Sequence, residues 1–156
     1  MSSYKDWKIE PVVLADAPDV ARNNVSAFWR DKHYRILWGD SVTEEYLIEK
    51  QAQSVPDDLI YRRELLRHLK AVDPDTGRLL GYLRLALPVE HATEPDGTPV
   101  WPEMQIADVT PEERARIEQA AQEAKVEKID NGLDDKAQEI QKRILSQGIY
   151  ISKLPW

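Results

Sequence analysis

The sequence has no cysteine among its 156 residues. It therefore has no disulfide bond, no thiolate nucleophile and no zinc site built on thiolates. It also lacks any stretch close to the roughly 18 apolar residues that a membrane-spanning helix requires. Its first residues contain no apolar run of the kind found in secretion signals. These absences predict a cytoplasmic protein that does not enter the membrane.

The chain is also poor in basic residues, since 21 lysines and arginines stand against 28 aspartates and glutamates. The formal charge of −7 argues against a nucleic-acid partner, because phosphate contacts require clustered cations. Residues 88–135 hold 13 acidic and four basic residues, a net charge of about −9, which leaves about +2 for the rest of the chain. This acidity is typical of the solvated face of surface helices. The alternative is an acidic interaction module that binds a basic protein.

Apolar and β-branched runs predict strands, whereas apolar residues at intervals of three and four predict helices. The first predicted strand covers residues 7–14, and Pro11 favours a position at the edge of a sheet. Asp16 then caps a first helix. A second helix begins in the capping box of residues 41–44 and ends at Pro56, because proline removes a hydrogen bond inside a helix.

Residues 65–72 and 79–87 flank Asp73-Pro74-Asp75-Thr76-Gly77, a sequence that favours a tight turn, and they predict an antiparallel hairpin. Five prolines in residues 88–111 predict a long surface excursion without regular structure. Thr110 and Pro111 then start a third helix that reaches about residue 128. Apolar spacing predicts a fourth helix over residues 133–146, followed by a strand at 149–154.

Three separate segments share one resemblance: VVLADAPDVA at 12–21, AFWRD at 27–31 and AVDPDTGRLLGYLR at 71–84. They are similar to the opening of fungal-type N-acetyltransferases of the GNAT superfamily. The resemblance implies an α/β (α+β) fold of truncated GNAT type, with a mostly antiparallel sheet of about four strands and flanking helices. Residues 1–156 would form a single GNAT-like domain, in which residues 88–131 are a proline-rich and acidic helical insert.

In that family, the fourth strand runs into a loop of pattern Gln/Arg-x-x-Gly-x-Gly/Ala, whose amides hold the pyrophosphate of acetyl-CoA. None of the six glycines falls in that pattern, and the later tyrosine acid of the family has no counterpart. The resemblance therefore implies a protein that is not a competent acetyltransferase alone. Acetyl-CoA would be a cofactor only if dimerisation or a partner completed the site. The apolar strand at 149–154 predicts such a homodimer, because an exposed strand edge pairs readily with another chain.

Residues 28–38 combine four aromatic side chains with a histidine and three cations. In the resembling family, this connection between the first two helices lines the pocket for the acceptor substrate. One interpretation is structural, with two core tryptophans that hold the helices on the sheet. The other is an apolar pocket for a small molecule, with these substrate-binding residues: Phe28, Trp29, Trp38, Tyr82 and Arg84.

The same segment supplies candidate catalytic residues for a cofactor-independent enzyme of cyclase or isomerase type. In such an enzyme, a shaped pocket orients the substrate and one acid or base acts on it. His33, Tyr34 and Asp31 are the candidates for that role. The three histidines of the chain have no metal-ligand spacing, so we expect no metal site.

Overall fold

The computed structural model describes residues 7–129 and 132–146. In this part the fold is mixed α+β, with five α-helices and a three-stranded antiparallel sheet. In chain order the elements are β1 (Lys8–Pro11), α1 (Ala17–Phe28), α2 (Lys32–Arg35), α3 (Glu44–Ile60), β2 (Leu66–Val72), β3 (Leu79–Ala86), α4 (Pro111–Glu123) and α5 (Leu133–Leu145).

The sheet has the order β1-β2-β3, and its centre is the predicted hairpin. Local turn chemistry explains why this prediction is confirmed. The amide of Gly77 donates to the carbonyl of Asp73 at 2.8 Å, and Gly77 adopts φ +69, a conformation that glycine reaches without strain. The Asp73 carboxylate also accepts from the amides of Asp75 and Thr76. Pro11 lies in β1, an edge strand of this sheet, as predicted.

The main core lies where α1 and α3 pack against one face of the sheet. α1 buries one stripe of its surface, which includes Val20 and Ala21 and extends to Val25. α3 contributes Val55 and Leu59 to this core. Side chains alternate between the two faces of each strand. Because β2 and β3 pair in register, the residues of β2 that face the helices lie next to the residues of β3 that face the helices.

The prediction that the second helix ends at Pro56 is wrong. α3 begins after its cap Thr43, whose hydroxyl accepts from the Tyr46 amide at 3.1 Å, and it continues through Pro56 to Ile60. An interior proline costs about 3 kcal/mol. Leu59 and Ile60 are buried beyond it, and each buried aliphatic side chain contributes ~1.5–3 kcal/mol. Packing therefore outweighs the proline.

The segment between the hairpin and α4 is largely irregular, as predicted, but it does not lie only on the surface. Ile106 is 6% exposed and belongs to the main core. The cap of α4 is confirmed, since the Thr110 hydroxyl accepts from the Glu113 amide at 3.1 Å. α4 ends at Glu123 rather than near residue 128, and α5 covers the predicted fourth helix.

The predicted fourth strand at 149–154 lies outside the described residues. Within the described ranges, the sheet has three strands. No helix in those ranges has both the length and the apolar character needed to cross a membrane.

Candidate functional site

Four ionisable side chains meet on the helix-facing side of the hairpin, and we name this group the hairpin cluster. His68 on β2 lies opposite Arg84 on β3, and Lys70 lies opposite Tyr82, so these residues share one face of the sheet. Asp58 of α3 reaches the same place, because its Oδ1 lies 3.9 Å from Nη1 of Arg84. The hairpin cluster therefore consists of Asp58, His68, Tyr82 and Arg84.

His68 is the innermost member of the hairpin cluster, with 1% of its surface exposed. Its Nδ1 lies 2.7 Å from the Tyr82 hydroxyl. Its Nε2 is buried and has no hydrogen-bond partner in the part of the chain that the structure describes. Burial, together with the nearby charges of Arg84 and Arg67, lowers the pKa of His68 to about 4. The imidazole is therefore neutral at neutral pH.

The outer end of the hairpin cluster is charged and reaches solvent. The Arg84 side chain is 9% exposed, whereas the Asp58 side chain is 43% exposed. Burial raises the pKa of Asp58, Arg84 opposes that change, and Asp57 adds to it. Burial also raises the pKa of Tyr82, so its hydroxyl keeps its proton. The cluster thus offers a carboxyl group to solvent beside a neutral phenol–imidazole pair.

Gln105 supports the hairpin cluster from the irregular segment after the hairpin. Its Oε1 accepts a hydrogen bond from the His68 amide at 2.6 Å. Its Nε2 donates to the carbonyl of His68 and, at 3.2 Å, to the carbonyl of Val12. The side-chain amide thus pairs with the β2 backbone beside the end of β1. Sequence reasoning missed this residue, because no local pattern links positions 37 residues apart.

Phe28, Trp29, Tyr34 and Trp38 also come together, and we name them the aromatic cluster. The ring centroids of Phe28 and Tyr34 are 5.9 Å apart, and those of Tyr34 and Trp38 are 5.8 Å apart. Trp38 is 6% exposed and packs with Val25. Trp29 packs against the same group, and the Arg35 guanidinium stacks on its ring at 4.3 Å.

Of the three predicted catalytic residues, Asp31 and His33 stay together at the solvent-exposed start of α2, whereas Tyr34 separates from them. The Asp31 side chain caps α2 by accepting from the His33 amide at 2.7 Å, and this bond is the main reason why the pKa of Asp31 is lowered. The His33 imidazole lies 3.3 Å from Asp31, but its side chain is 89% exposed. Tyr34 points into the aromatic cluster, and burial raises its pKa.

The predicted substrate-binding residues divide between two places. Phe28, Trp29 and Trp38 lie in the aromatic cluster, beside Val25. Tyr82 packs against the main core, which is a separate group of buried residues, and Arg84 lies next to Asp58. The structure thus separates the predicted pocket into an aromatic half and a polar half.

Comparisons of the chain with protein-family models, with curated proteins and with solved structures gave no match. Within residues 7–129 and 132–146, no three side chains of histidine, aspartate or glutamate form a group that could hold a metal ion.

Proposed function

We propose that this chain is a GNAT-like protein that binds a small amine but does not transfer acetyl groups by itself. The order of its elements supports the resemblance, since one strand is followed by helices and then by an antiparallel hairpin. The two long helices α1 and α3 pack on one face of the sheet. An irregular segment and charged helices follow the hairpin, as the resemblance implies for the insert.

The observation that carries the proposal is the hairpin cluster. Apolar side chains at these positions would pack without the desolvation cost of ionisable ones, so such a group is more typical of a site than of a scaffold. An N-acetyltransferase acceptor is an amine, and a protonated amine is recognised by a carboxylate. Asp58 supplies a half-exposed carboxyl group, and Arg84 favours its ionised form. Tyr82 adds a hydroxyl that His68 holds in place.

The proposal includes no resident cofactor, because the glycine-rich loop of the resembling family is missing from the sequence. Acetyl-CoA would bind only where dimerisation through residues 149–154, or another protein, completed its site. We propose a cytoplasmic location, because the lack of cysteine fits a reducing compartment. The cofactor-independent enzyme and the acidic interaction module stay predictions.

Two calorimetric titrations of the folded chain test the proposal, one with acetyl-CoA and one with 2-phenylethylamine as the amine probe. We expect no heat from acetyl-CoA and saturable binding of the amine, with a Kd of roughly 1 mM, which is ordinary for a small probe. Micromolar binding of acetyl-CoA would overturn the claim that the cofactor site is missing. Absence of amine binding would overturn the acceptor site.

A matched pair of variants locates the amine. Asp58→Asn removes the charge next to Arg84, whereas Asp57→Asn removes the neighbouring charge on the same helix. We expect the first variant to weaken 2-phenylethylamine binding at least about tenfold, the loss of one close charge pair. The second should change it less than about twofold. Equal effects of the two variants would show that the amine responds only to overall charge.

A further inference from the structure

A second site lies away from the hairpin cluster, in a cleft of about 470 Å³. One wall comes from the connection between α2 and α3 and from the first turn of α3, with Ser41, Val42 and Tyr46. The other wall is the segment after α4, residues 125–129. We name this feature the lysine cleft, because Lys125 and Lys128 both line it.

The two walls of the lysine cleft are fixed to one another. The Ile129 amide donates to the carbonyl of Leu37 at 2.8 Å, which ties the segment after α4 to the turn after α2. Val126 packs against the group around Trp38, and the Lys128 ammonium lies 5.9 Å from the centroid of the Trp38 ring. The cleft is therefore built from segments about 85 residues apart in sequence that are held by backbone and core contacts.

The charge of the lysine cleft contrasts with its surroundings. Residues 88–135 contain only four basic residues, and two of these are Lys125 and Lys128. Glu127 is the single acidic residue among those that line the cleft. The Lys50 ammonium lies 5.8 Å from the Tyr46 ring, although Lys50 does not itself line the cleft. In a chain of net charge −7, this concentration of cations favours a negatively charged ligand.

The remaining groups of the lysine cleft indicate the rest of the ligand. The Tyr46 ring is 44% exposed, and the half-buried side chains of Val42 and Val126 add apolar surface. Ser41 and Tyr46 supply hydroxyl donors, and lysine ammonium groups bind phosphate as point charges. We infer that the lysine cleft binds a small organic phosphate whose apolar or aromatic part rests on Tyr46. This inference does not rest on the proposed function, because the cleft shares no residue with the hairpin cluster.

Titration of the ¹⁵N-labelled chain with phenyl phosphate, followed by NMR, tests this inference. We expect saturable shifts at the amides of Ser41, Tyr46 and Val126. Inorganic phosphate and phenol should each bind at least tenfold more weakly than phenyl phosphate, since each offers only half of the ligand. Equal binding of inorganic phosphate would overturn the organic part of the inference. Shifts spread over other surfaces would overturn the site.

Variants give a second and independent test. Lys125→Gln with Lys128→Gln should weaken phenyl phosphate binding at least tenfold. The matched pair Lys136→Gln with Lys142→Gln removes two exposed charges from α5 and should change binding less than twofold. Ser41→Trp, which fills the cleft from an exposed position, should abolish binding while the circular dichroism spectrum stays unchanged. Unaltered binding in either cleft variant would overturn the assignment.

Discussion

The aromatic cluster and the hairpin cluster differ both in how far apart their residues lie in sequence and in how deeply the fold buries their ionisable groups. The aromatic cluster comes from the eleven consecutive residues 28–38, yet the His33 side chain in that segment is 89% exposed and the aromatic rings pack against Val25. The hairpin cluster comes from residues 58–84, which are spread over α3, β2 and β3, yet it holds a histidine that is 1% exposed. Closeness in sequence gathers residue types, whereas burial by the fold changes their chemistry.

The difference follows from which backbone presents each side chain. α2 has only four residues, so His33 lies on a single turn with solvent around it. β2 is central in the sheet, and its alternate residues face the helices. A titratable residue on that face must lose its water. We therefore assign a packing role to the aromatic cluster and propose a chemical role for the hairpin cluster, and three measurements test this division.

The largest expected effect is at Trp38. Trp38→Ala removes a side chain that is 6% exposed, and large-to-small changes of buried aromatics cost ~3–5 kcal/mol of unfolding free energy. Urea unfolding of the variant and its parent measures this loss. Trp7→Ala is the matched control, because Trp7 is 63% exposed, and it should change stability by less than about 0.5 kcal/mol. Similar losses in the two variants would contradict a packing role that is specific to the aromatic cluster.

The next effect concerns pH and His68. The folded pKa is about 4, below the ordinary value of 6.5, so the unfolded chain takes up a proton first as the pH falls. The stability that His68 contributes is complete above about pH 6.5 and is lost as the pH falls towards 4, a change of about 3 kcal/mol. Asp58, whose pKa is raised, acts in the opposite direction in the acid range.

His68→Gln isolates that contribution, because glutamine does not titrate. Urea unfolding at several values between pH 7.5 and 4 should show a smaller loss of stability in the variant than in the parent chain. The quantity to compare is the slope of stability against pH in the two chains, since the carboxylates titrate equally in both. Parallel slopes would mean that His68 takes up its proton over the same pH range in the folded and the unfolded chain, so that the hairpin cluster does not keep the imidazole neutral as the pH falls.

The sequence predicts those parts of the fold that depend on neighbouring residues. The turn from Asp73 to Gly77 carries its own hydrogen bonds, and Thr110 caps α4 from a position next to the helix. Pro56 shows where local rules fail, because the packing of Leu59 and Ile60 is decided by residues far away in sequence. A pattern of spacing contains no information about that competition.

The candidate site could be predicted only in part for the same reason. Tyr82 and Arg84 were predicted from the sequence as polar contacts, and the structure places both in the hairpin cluster. No sequence pattern distinguishes His68, because only the sheet register and α3 make it buried. The contacts of Arg67 likewise depend on distant residues, because its guanidinium stacks on Trp101 at 4.6 Å and bonds to the Glu103 carbonyl.

The smallest of the three effects is expected at Gln105, the support of the hairpin cluster. Gln105→Ala removes the acceptor of the His68 amide and a donor to its carbonyl. The His68 carbonyl keeps the Val12 amide as a donor, but leaving the partly buried His68 amide unpaired costs ~1–3 kcal/mol, and this amide should exchange with solvent faster than its strand neighbours. Hydrogen exchange followed by NMR separates this local effect from a global one. Gln119→Ala is the control, because the Gln119 side chain bonds to Glu123 within α4, away from the hairpin cluster. If Gln105→Ala, like the control, left the exchange of the His68 amide unchanged, Gln105 would not support the hairpin cluster. The burial of His68 would then depend on the packing of α1 and α3 against the sheet.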